Sequence, residues 1–375
     1  MIEGIPAVWR AALGSLTADR IAEINSAELV GRILERTDSY DTPQANLDDI
    51  IANLTQAYRL GTLTLVLGAG VSLEYGIPDW NTLLQQLQFG AVNEEPSGEN
   101  GVSLARLYAR LFPVSPLIAA RQLAIKQFPG IEPLAMEEAV RKAVYENHKD
   151  VKSLLVEQIC QLCASPGHSE PLEAVITYNY DDVIESHLDA LPLTVPYRSI
   201  YSEGVVPGKR ELPIYHVHGF LPRLGDLSAD NQITLSESSY HQQYDGGFSW
   251  SNLIQIEKFR SSNCLFVGLS LADPNMRRLL DLARRLSGGG EQQQRHWCIR
   301  RAHSTKNISR SLEAMVSDEH PGVEAGADID VLARSLQRMV KNNETDDLRS
   351  FGIEPIWVDE YSDIPGLLEK VSRAE

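Results

Sequence analysis

The feature that most constrains the fold is a five-residue apolar run, Leu63–Leu67, with Gly61 before it and the sequence Gly-Ala-Gly directly after it. A short apolar segment between glycines is typical of a strand that is buried on both faces of a parallel sheet. Five similar runs follow, and helical patterns lie between several of them. These runs cover residues 174–177, 213–217, 265–267, 296–299 and 355–358. The alternation predicts an α/β fold with a parallel sheet and helices on both faces.

Two regions outside this alternation are helical in pattern. Residues 1–55 have apolar residues at helical spacing and no chemical motif, which predicts an N-terminal helical arm that either covers a partner or packs as a plain appendage. Residues from about 82 to 170 are also helical in pattern, apart from a polar loop at 93–101, and predict a helical module inserted into the sheet domain. The predicted α/β domain therefore covers residues 56–375.

The charge balance restricts the partners that the chain can bind. It has 34 basic and 51 acidic residues, which give a formal net charge of −17. Nucleic-acid phosphates and anionic lipids attract clustered Lys and Arg side chains, so neither direct nucleic-acid binding nor membrane docking is expected. Four cysteines do not make a disulfide framework, the start of the chain lacks a signal-peptide pattern, and no apolar run is long enough to span a bilayer. We expect a cytoplasmic protein.

The residues after the first predicted strand have the composition of a phosphate-binding turn. Gly68 and Gly70 permit a close backbone approach, so that successive N–H groups can point at an anion. Taken alone, a Gly-x-Gly sequence after a strand is also compatible with a simple tight turn. The dehydrogenase fingerprint is incomplete, because Leu73 occupies the position of its third glycine and no acidic residue follows at the expected distance. An oxidoreductase is therefore not favoured.

The residues that follow make this pattern more specific. The run Gly-Ala-Gly-Val-Ser-Leu-Glu-Tyr-Gly-Ile-Pro-Asp, residues 68–79, resembles the NAD-binding signature of the sirtuins. Sirtuins cleave NAD and usually pass its ADP-ribosyl group to an acetyl-lysine oxygen. The resemblance implies a Rossmann-like sheet and a loop that covers the phosphates and the nicotinamide ribose of NAD. It assigns NAD binding to Gly68, Ala69, Gly70, Ser72 and Asp79.

A second motif follows the strand predicted at residues 174–177. Ligands of open parallel sheets bind beyond the carboxyl ends of the strands, which is where Asn179 and Asp181 are expected. The sequence Thr-Tyr-Asn-Tyr-Asp resembles the sirtuin segment Thr-Gln-Asn-Ile-Asp, which implies functional roles for Asn179 and Asp181. Tyr178 stands where deacetylases generally have Gln, and in this respect the chain is more similar to the bacterial sirtuin-like branch. Taken alone, the segment is also compatible with a helix cap.

A third motif ends the strand predicted at residues 213–217. Sirtuins carry their catalytic base as a His followed by a Gly at this point, and the matching residues here are His218 and Gly219. An imidazole of near-neutral pKa can accept a proton from water or from a ribose hydroxyl at physiological pH. His216 lies on the same face of the strand. No third metal ligand has a suggestive spacing, so we interpret His216 as a structural histidine.

A fourth motif follows the strand predicted at residues 265–267. The sequence Gly-Leu-Ser-Leu resembles the sirtuin segment Gly-Thr-Ser-Leu, which lies beside the adenosine ribose, and this resemblance assigns NAD binding to Gly268 and Ser270. Asp273 precedes Pro274, a residue that suits the first turn of a helix. We therefore interpret Asp273 as a helix N-cap.

The cysteines, the helical insertion and the Asn-Tyr-Asp sequence distinguish the chain from protein-deacetylating sirtuins. Those enzymes hold a zinc ribbon of two Cys-x-x-Cys pairs after the catalytic His, whereas here one pair, Cys160 and Cys163, precedes His218. A structural zinc needs four ligands, so we expect buried helix cysteines and no metal. With the helical insertion and the Asn-Tyr-Asp sequence, the chain resembles bacterial antiphage effectors that deplete NAD. That resemblance implies a homo-oligomer and, in one branch, assembly with a HerA-type hexameric ATPase.

These resemblances predict an NAD hydrolase that releases nicotinamide and ADP-ribose. In this prediction His218 is the base, Asn179 positions water or the ribose, Asp79 and Asp181 contact the nicotinamide, and the glycine turn holds the phosphates. One alternative is a protein deacylase or ADP-ribosyl transferase, against which the missing zinc ribbon counts. The other is a non-catalytic NAD or ADP-ribose sensor, against which the presence of Asn179 and His218 counts.

Overall fold

The computed structural model describes residues 43–89, 116–127, 134–164, 172–235, 249–287, 295–319 and 329–373. The chain divides into two compact units. The larger unit comprises residues 45–300 and 348–375, and the smaller unit comprises residues 1–44 and 301–347. All the residues that the sequence patterns assign to a site lie in the larger unit.

A seven-stranded sheet organises the fold, and β1 lies near its middle. The strands are β1 (Leu63–Leu67), β2 (Ala174–Thr177), β3 (Tyr197–Ile200), β4 (Leu212–His216), β5 (Asn263–Val267), β6 (His296–Arg301) and β7 (Ile353–Val358). Their order across the sheet is β3-β4-β2-β1-β5-β6-β7. The pairs β3–β4, β4–β2, β2–β1, β1–β5 and β5–β6 are parallel. Parallel neighbours need long crossover connections, and helices supply most of them.

Helices alternate with the strands along the chain. Within the described residues they are α1 (Leu47–Arg59), α2 (Trp80–Phe89), α3 (Pro116–Gln127), α4 (Ala135–Tyr145), α5 (Leu154–Ala164), α6 (Val183–Asp189), α7 (Trp250–Ser261), α8 (Pro274–Leu286), α9 (Thr305–Glu319), α10 (Ile329–Ser350) and α11 (Ile364–Arg373). Short 3-10 turns at Ala69–Val71, Leu73–Tyr75 and Tyr361–Asp363 complete the set for the described chain.

The core lies on both faces of the sheet. All five residues of β1 are buried, and successive side chains of a strand point to opposite faces. Leu65 belongs to a hydrophobic cluster with residues of α1, α5 and α11, whereas Val66 belongs to a second cluster with residues of α7 and α8. The apolar run therefore meets helices on each side, as a strand buried on both faces requires. This arrangement confirms the predicted α/β class.

The sequence patterns located six of the seven strands but missed β3. The bounds of the other strands agree with the predicted runs to within two residues. β3 is one of the two edge strands, and three of its four residues, Tyr197, Arg198 and Ser199, are only half-buried or exposed. Because its side chains are only partly covered, β3 has no apolar run, whereas β7 at the other edge has four buried residues.

The two predicted helical regions are described only in part. Residues 1–42 of the arm and the polar loop at 93–101 lie outside the described residues. The remainder of the arm contains most of α1, which Asn46 caps by accepting from the backbone N–H of Asp48 at 2.9 Å. α2 to α5 lie between β1 and β2. The boundaries of the arm, at 1–55, and of the insertion, at about 82–170, remain predictions.

Candidate active site

Four loops meet at the carboxyl edge of the sheet. They follow β1, β2, β4 and β5, which are neighbours in the order β4-β2-β1-β5 and run parallel to one another. Each loop carries one of the four sequence motifs. The topology therefore gathers motifs that are up to 200 residues apart, at the position where open α/β sheets bind their ligands.

The loops after β1 and β5 pack backbone against backbone through glycines. The N–H of Gly70 donates to the carbonyl of Gly268 at 3.0 Å. A Cβ on Gly70 would lie 2.7 Å from the Gly268 Cα, and Gly268 itself has a φ of +70° that favours glycine. Both glycines are thus required by the contact between the loops. Phosphate binding by the same backbone remains a prediction.

Ser72, Asn179 and Asp181 form one hydrogen-bonded cluster across the loops after β1 and β2. Ser72 Oγ donates to Asp181 Oδ1 at 3.0 Å. Asn179 Nδ2 donates to Ser72 Oγ and to the carbonyl of Gly68, both at 3.1 Å. The carbonyl can only accept, so the amide nitrogen must face it. Oδ1 is then the acceptor that Asn179 presents to a ribose hydroxyl or to water.

The carboxyl group of Asp181 has a pKa above the ordinary value for aspartate. It is 6% exposed. Burial raises its pKa to about 6, although hydrogen bonds from the Val183 N–H and from Ser72 act in the opposite direction. At neutral pH the group is therefore mainly ionised and can accept a hydrogen bond from an amide, such as the carboxamide of nicotinamide.

His218 lies at a tight turn just beyond β4. Gly219 makes the turn with a φ of +102°, and a Cβ there would lie 2.3 Å from the carbonyl oxygen of Gln232. The ring of Tyr178 packs edge-on against the imidazole, with centroids 4.8 Å apart. Nε2 of His218 lies 4.0 Å from Oδ2 of Asp273. Burial lowers the pKa of His218 and the charge of Asp273 opposes that shift, so the neutral ring can accept a proton at neutral pH.

His216, the last residue of β4, and Glu185 of α6 form a buried pair. His216 Nε2 is 2.6 Å from Glu185 Oε1, and Ser199 Oγ donates to the same carboxylate oxygen at 2.9 Å. His216 Nδ1 faces the backbone carbonyl of Asn179 at 3.3 Å. These contacts fit the structural role predicted for His216. The sequence did not indicate Glu185, because no motif relates a residue of α6 to one of β4.

Gln255 is a polar side chain beside the site that the sequence motifs did not indicate, whereas Asp273 has the capping role that they predict. The hydroxyl of Tyr178 donates to Oε1 of Gln255, a fully buried residue of α7. This bond fixes the ring that contacts His218. Glutamine inside an ordinary helical pattern has no sequence signal that would identify it. Asp273 Oδ1 accepts from the Met276 N–H at 2.6 Å, which confirms that it caps α8.

Three predicted NAD-binding residues lie in the loops without joining the cluster. Asp79 is exposed and accepts from the Thr82 N–H at 2.8 Å, at the start of α2. Ser270 is exposed and accepts from the Ala272 N–H at 3.3 Å. Ala69 is half-buried within a 3-10 turn. Their roles toward NAD remain predictions.

The cysteine pair lies in the hydrophobic core. Cys160 and Cys163 are buried in α5 with free thiols, as the sequence predicts. Among the residues that the structure describes, no three His, Cys, Asp or Glu side chains are grouped as metal ligands. No helix in the same residues is both long and apolar enough to cross a bilayer.

Residues 173–318 match the family model of the SIR2-like domain. This range includes the loops after β2, β4 and β5. Curated relatives match a larger part of the chain than this family model does. The NAD(+) hydrolase ThsA of Enterococcus faecium is 22% identical over 86% of this chain and 58% of its own length. That of Acinetobacter baumannii is 25% identical over 87% and 55%, and that of Bacillus cereus is 22% identical over 86% and 56%. The chain thus spans little more than half the length of these relatives.

Proposed function

We propose that this chain, which carries a SIR2-like domain with a Rossmann-like fold, hydrolyses NAD to nicotinamide and ADP-ribose. The observation that carries the proposal is the convergence of Ser72, Asn179, Asp181 and His218 at one edge of the sheet. The homology to proteins named NAD(+) hydrolase supports the same reaction.

The chemistry of NAD explains why such side chains suit the reaction. The bond between C1′ of the ribose and the nicotinamide nitrogen breaks with its electron pair on nicotinamide, which leaves as a neutral molecule. The ribose then has oxocarbenium character, as in glycoside hydrolysis. A water oxygen bonds to C1′, and its proton passes to a base. The products are nicotinamide, ADP-ribose and that proton.

We assign a role to each residue of the cluster. His218 is the base, since burial keeps the ring neutral near pH 7. Asn179 positions the ribose or the water through Oδ1, because its amide nitrogen is occupied by Gly68 and Ser72. Asp181 accepts from the nicotinamide carboxamide, and Ser72 holds both the amide and the carboxylate in place.

The remaining contacts to NAD follow from the resemblance to sirtuins. We assign the phosphates to the backbone of Gly68, Ala69 and Gly70, and the adenosine ribose to the segment of Gly268 and Ser270. Asp79, whose carboxylate caps α2, is assigned to the nicotinamide pocket.

We further propose that the activity serves antiphage defence by depleting cellular NAD. The protein would act in the cytoplasm as a homo-oligomer, and a HerA-type hexameric ATPase is its candidate partner. The relatives named ThsA support the hydrolase part of this proposal. Analytical ultracentrifugation and co-expression with a HerA-type ATPase test the assembly.

The decisive experiment is NAD turnover by the purified chain, alone and with proteins that co-purify with it. His218→Ala and Asn179→Ala should each abolish release of nicotinamide. His303→Ala is the matched control, because His303 is exposed and lies in the smaller unit. Turnover that survives both substitutions would refute the assigned site. Tight NAD binding without turnover would favour a sensor, and turnover that requires an acylated peptide would favour a deacylase.

A further inference from the structure

Asp273 makes two different contacts with its two carboxylate oxygens. Oδ1 caps α8 by accepting from the Met276 N–H at 2.6 Å. Oδ2 faces Nε2 of His218 at 4.0 Å. Both side chains are largely buried, with 17% of Asp273 and 7% of His218 exposed. Helix capping explains the contact of Oδ1 but not the position of Oδ2 beside His218.

The distance of 4.0 Å is informative. It is too long for a direct hydrogen bond. Two acceptors that share one oxygen at about 2.8 Å each lie roughly 4.0 to 4.5 Å apart. Water carries two hydrogens and can donate one to each acceptor, whereas a ribose hydroxyl carries only one. The separation therefore suits a water molecule held between the carboxylate and the neutral imidazole.

We propose that Asp273 is a further catalytic residue, which together with His218 holds the water that attacks NAD. This inference rests on the hydrolase activity proposed above and identifies the nucleophile's position within it. Nothing in the motif resemblance assigns Asp273 to the reaction.

The proposed step moves one proton from the water to His218. His218 carries its resting proton on Nδ1 and accepts from the water at Nε2. As the water oxygen bonds to C1′, one proton moves to Nε2, and the C1′–N electron pair leaves on nicotinamide. The second hydrogen stays hydrogen-bonded to Asp273, which remains ionised throughout. The carboxylate then stabilises the imidazolium that forms and the positive charge that develops on the ribose.

The surroundings of His218 are consistent with this role. Tyr178 packs on the ring through its edge, and its hydroxyl is bonded to Gln255. On the strand that leads to His218, the neighbouring His216 is paired with Glu185. Asp273 is a charged group that lies 4.0 Å from Nε2, and its charge raises the pKa of His218 against the effect of burial.

The test distinguishes the role of Asp273 as a helix cap from its role as a negative charge beside His218. Asp273→Asn keeps a good N-cap but places a neutral amide before His218, and Asp273→Ser provides a second variant with the cap retained. Asn46→Ala is the control, because it removes a cap of the same kind from α1, outside the site. We expect Asp273→Asn to lower kcat about 10²-fold or more and to leave the Kd for ADP-ribose within about twofold, while Asn46→Ala keeps the wild-type kcat.

A second readout concerns His218 itself. Its pKa, measured from the ring proton in NMR spectra, should fall in Asp273→Asn because a negative charge is removed. An unchanged kcat in both Asp273 variants, or an unchanged pKa of His218, would overturn the proposal. So would a higher KM with an unchanged kcat, which would assign Asp273 to a ribose hydroxyl. A wild-type chain without NAD turnover would instead refute the proposed function, and with it this inference.

Discussion

Replacing Glu185 with Gln should destabilise the protein markedly, although the two side chains have nearly the same shape. Glu185 and His216 are 6% and 1% exposed, and His216 Nε2 lies 2.6 Å from Glu185 Oε1. Removing one partner of a buried ion pair costs about 3–5 kcal/mol, because the other charge stays buried without compensation. Gln keeps an oxygen that can accept from Ser199, so we expect the lower end, about 3 kcal/mol.

Urea unfolding measures this loss. With an m value of about 3 kcal/mol/M, the midpoint should fall by about 1 M at pH 7. The matched control is Glu211→Gln, which removes the same charge from an exposed pair with Arg198 at 2.8 Å and should change the midpoint little. A double variant, Glu185→Gln with His216→Gln, should lose less than the two single variants combined.

The pH dependence gives an independent check. Burial alone would raise the pKa of Glu185, but the charge and hydrogen bond of His216 outweigh it and hold the pKa below its usual value. The ionised carboxylate therefore contributes stability above the unfolded pKa of about 4.3, and this contribution is lost as the pH falls through the folded pKa. The difference in unfolding midpoint between wild type and Glu185→Gln should therefore become smaller below about pH 4. A midpoint shift no larger than that of Glu211→Gln at pH 7 would refute the reasoning.

Three further predictions follow from the site and the core. If Asp181 must be ionised, kcat/KM for NAD should fall tenfold per pH unit below about pH 6. Ser72→Ala should move this acidic part of the pH profile to higher pH, because it removes a hydrogen bond that lowers the pKa of Asp181. A pH profile that does not move contradicts this prediction. Gly70→Ala should lower the Tm through its clash with Gly268, whereas Gly366→Ala, where a Cβ meets nothing within 4 Å, should not; equal Tm values would remove the argument for close loop packing. Burial raises the pKa of Cys160 to about 12 and that of Cys163 well above its usual value, so both thiols should react with Ellman's reagent only after unfolding, and rapid labelling of the native protein would show that α5 is accessible.

Local pattern was sufficient for the central sheet. The run Leu63–Leu67 is buried at every position because β1 meets helices on both faces and strands on both edges. The N-cap at Asp273 could also be predicted, since the residue and Pro274 are adjacent in the chain. Edge strand β3 could not, because its half-exposed side chains have no apolar run.

Sequence by itself determined six of the seven strands, their alternation with helices, the glycines that follow β1 and β5, and the residue types at the strand ends. These features depend on residue types and on their spacing along the chain. Only the tertiary structure decided that Ser72 bonds to both Asn179 and Asp181, that Glu185 pairs with His216, and that Asp273 faces His218. Those contacts join residues that are 31 to 109 positions apart. Their distances depend on how the parallel strands twist and how α6 and α8 pack on them, which no local pattern contains.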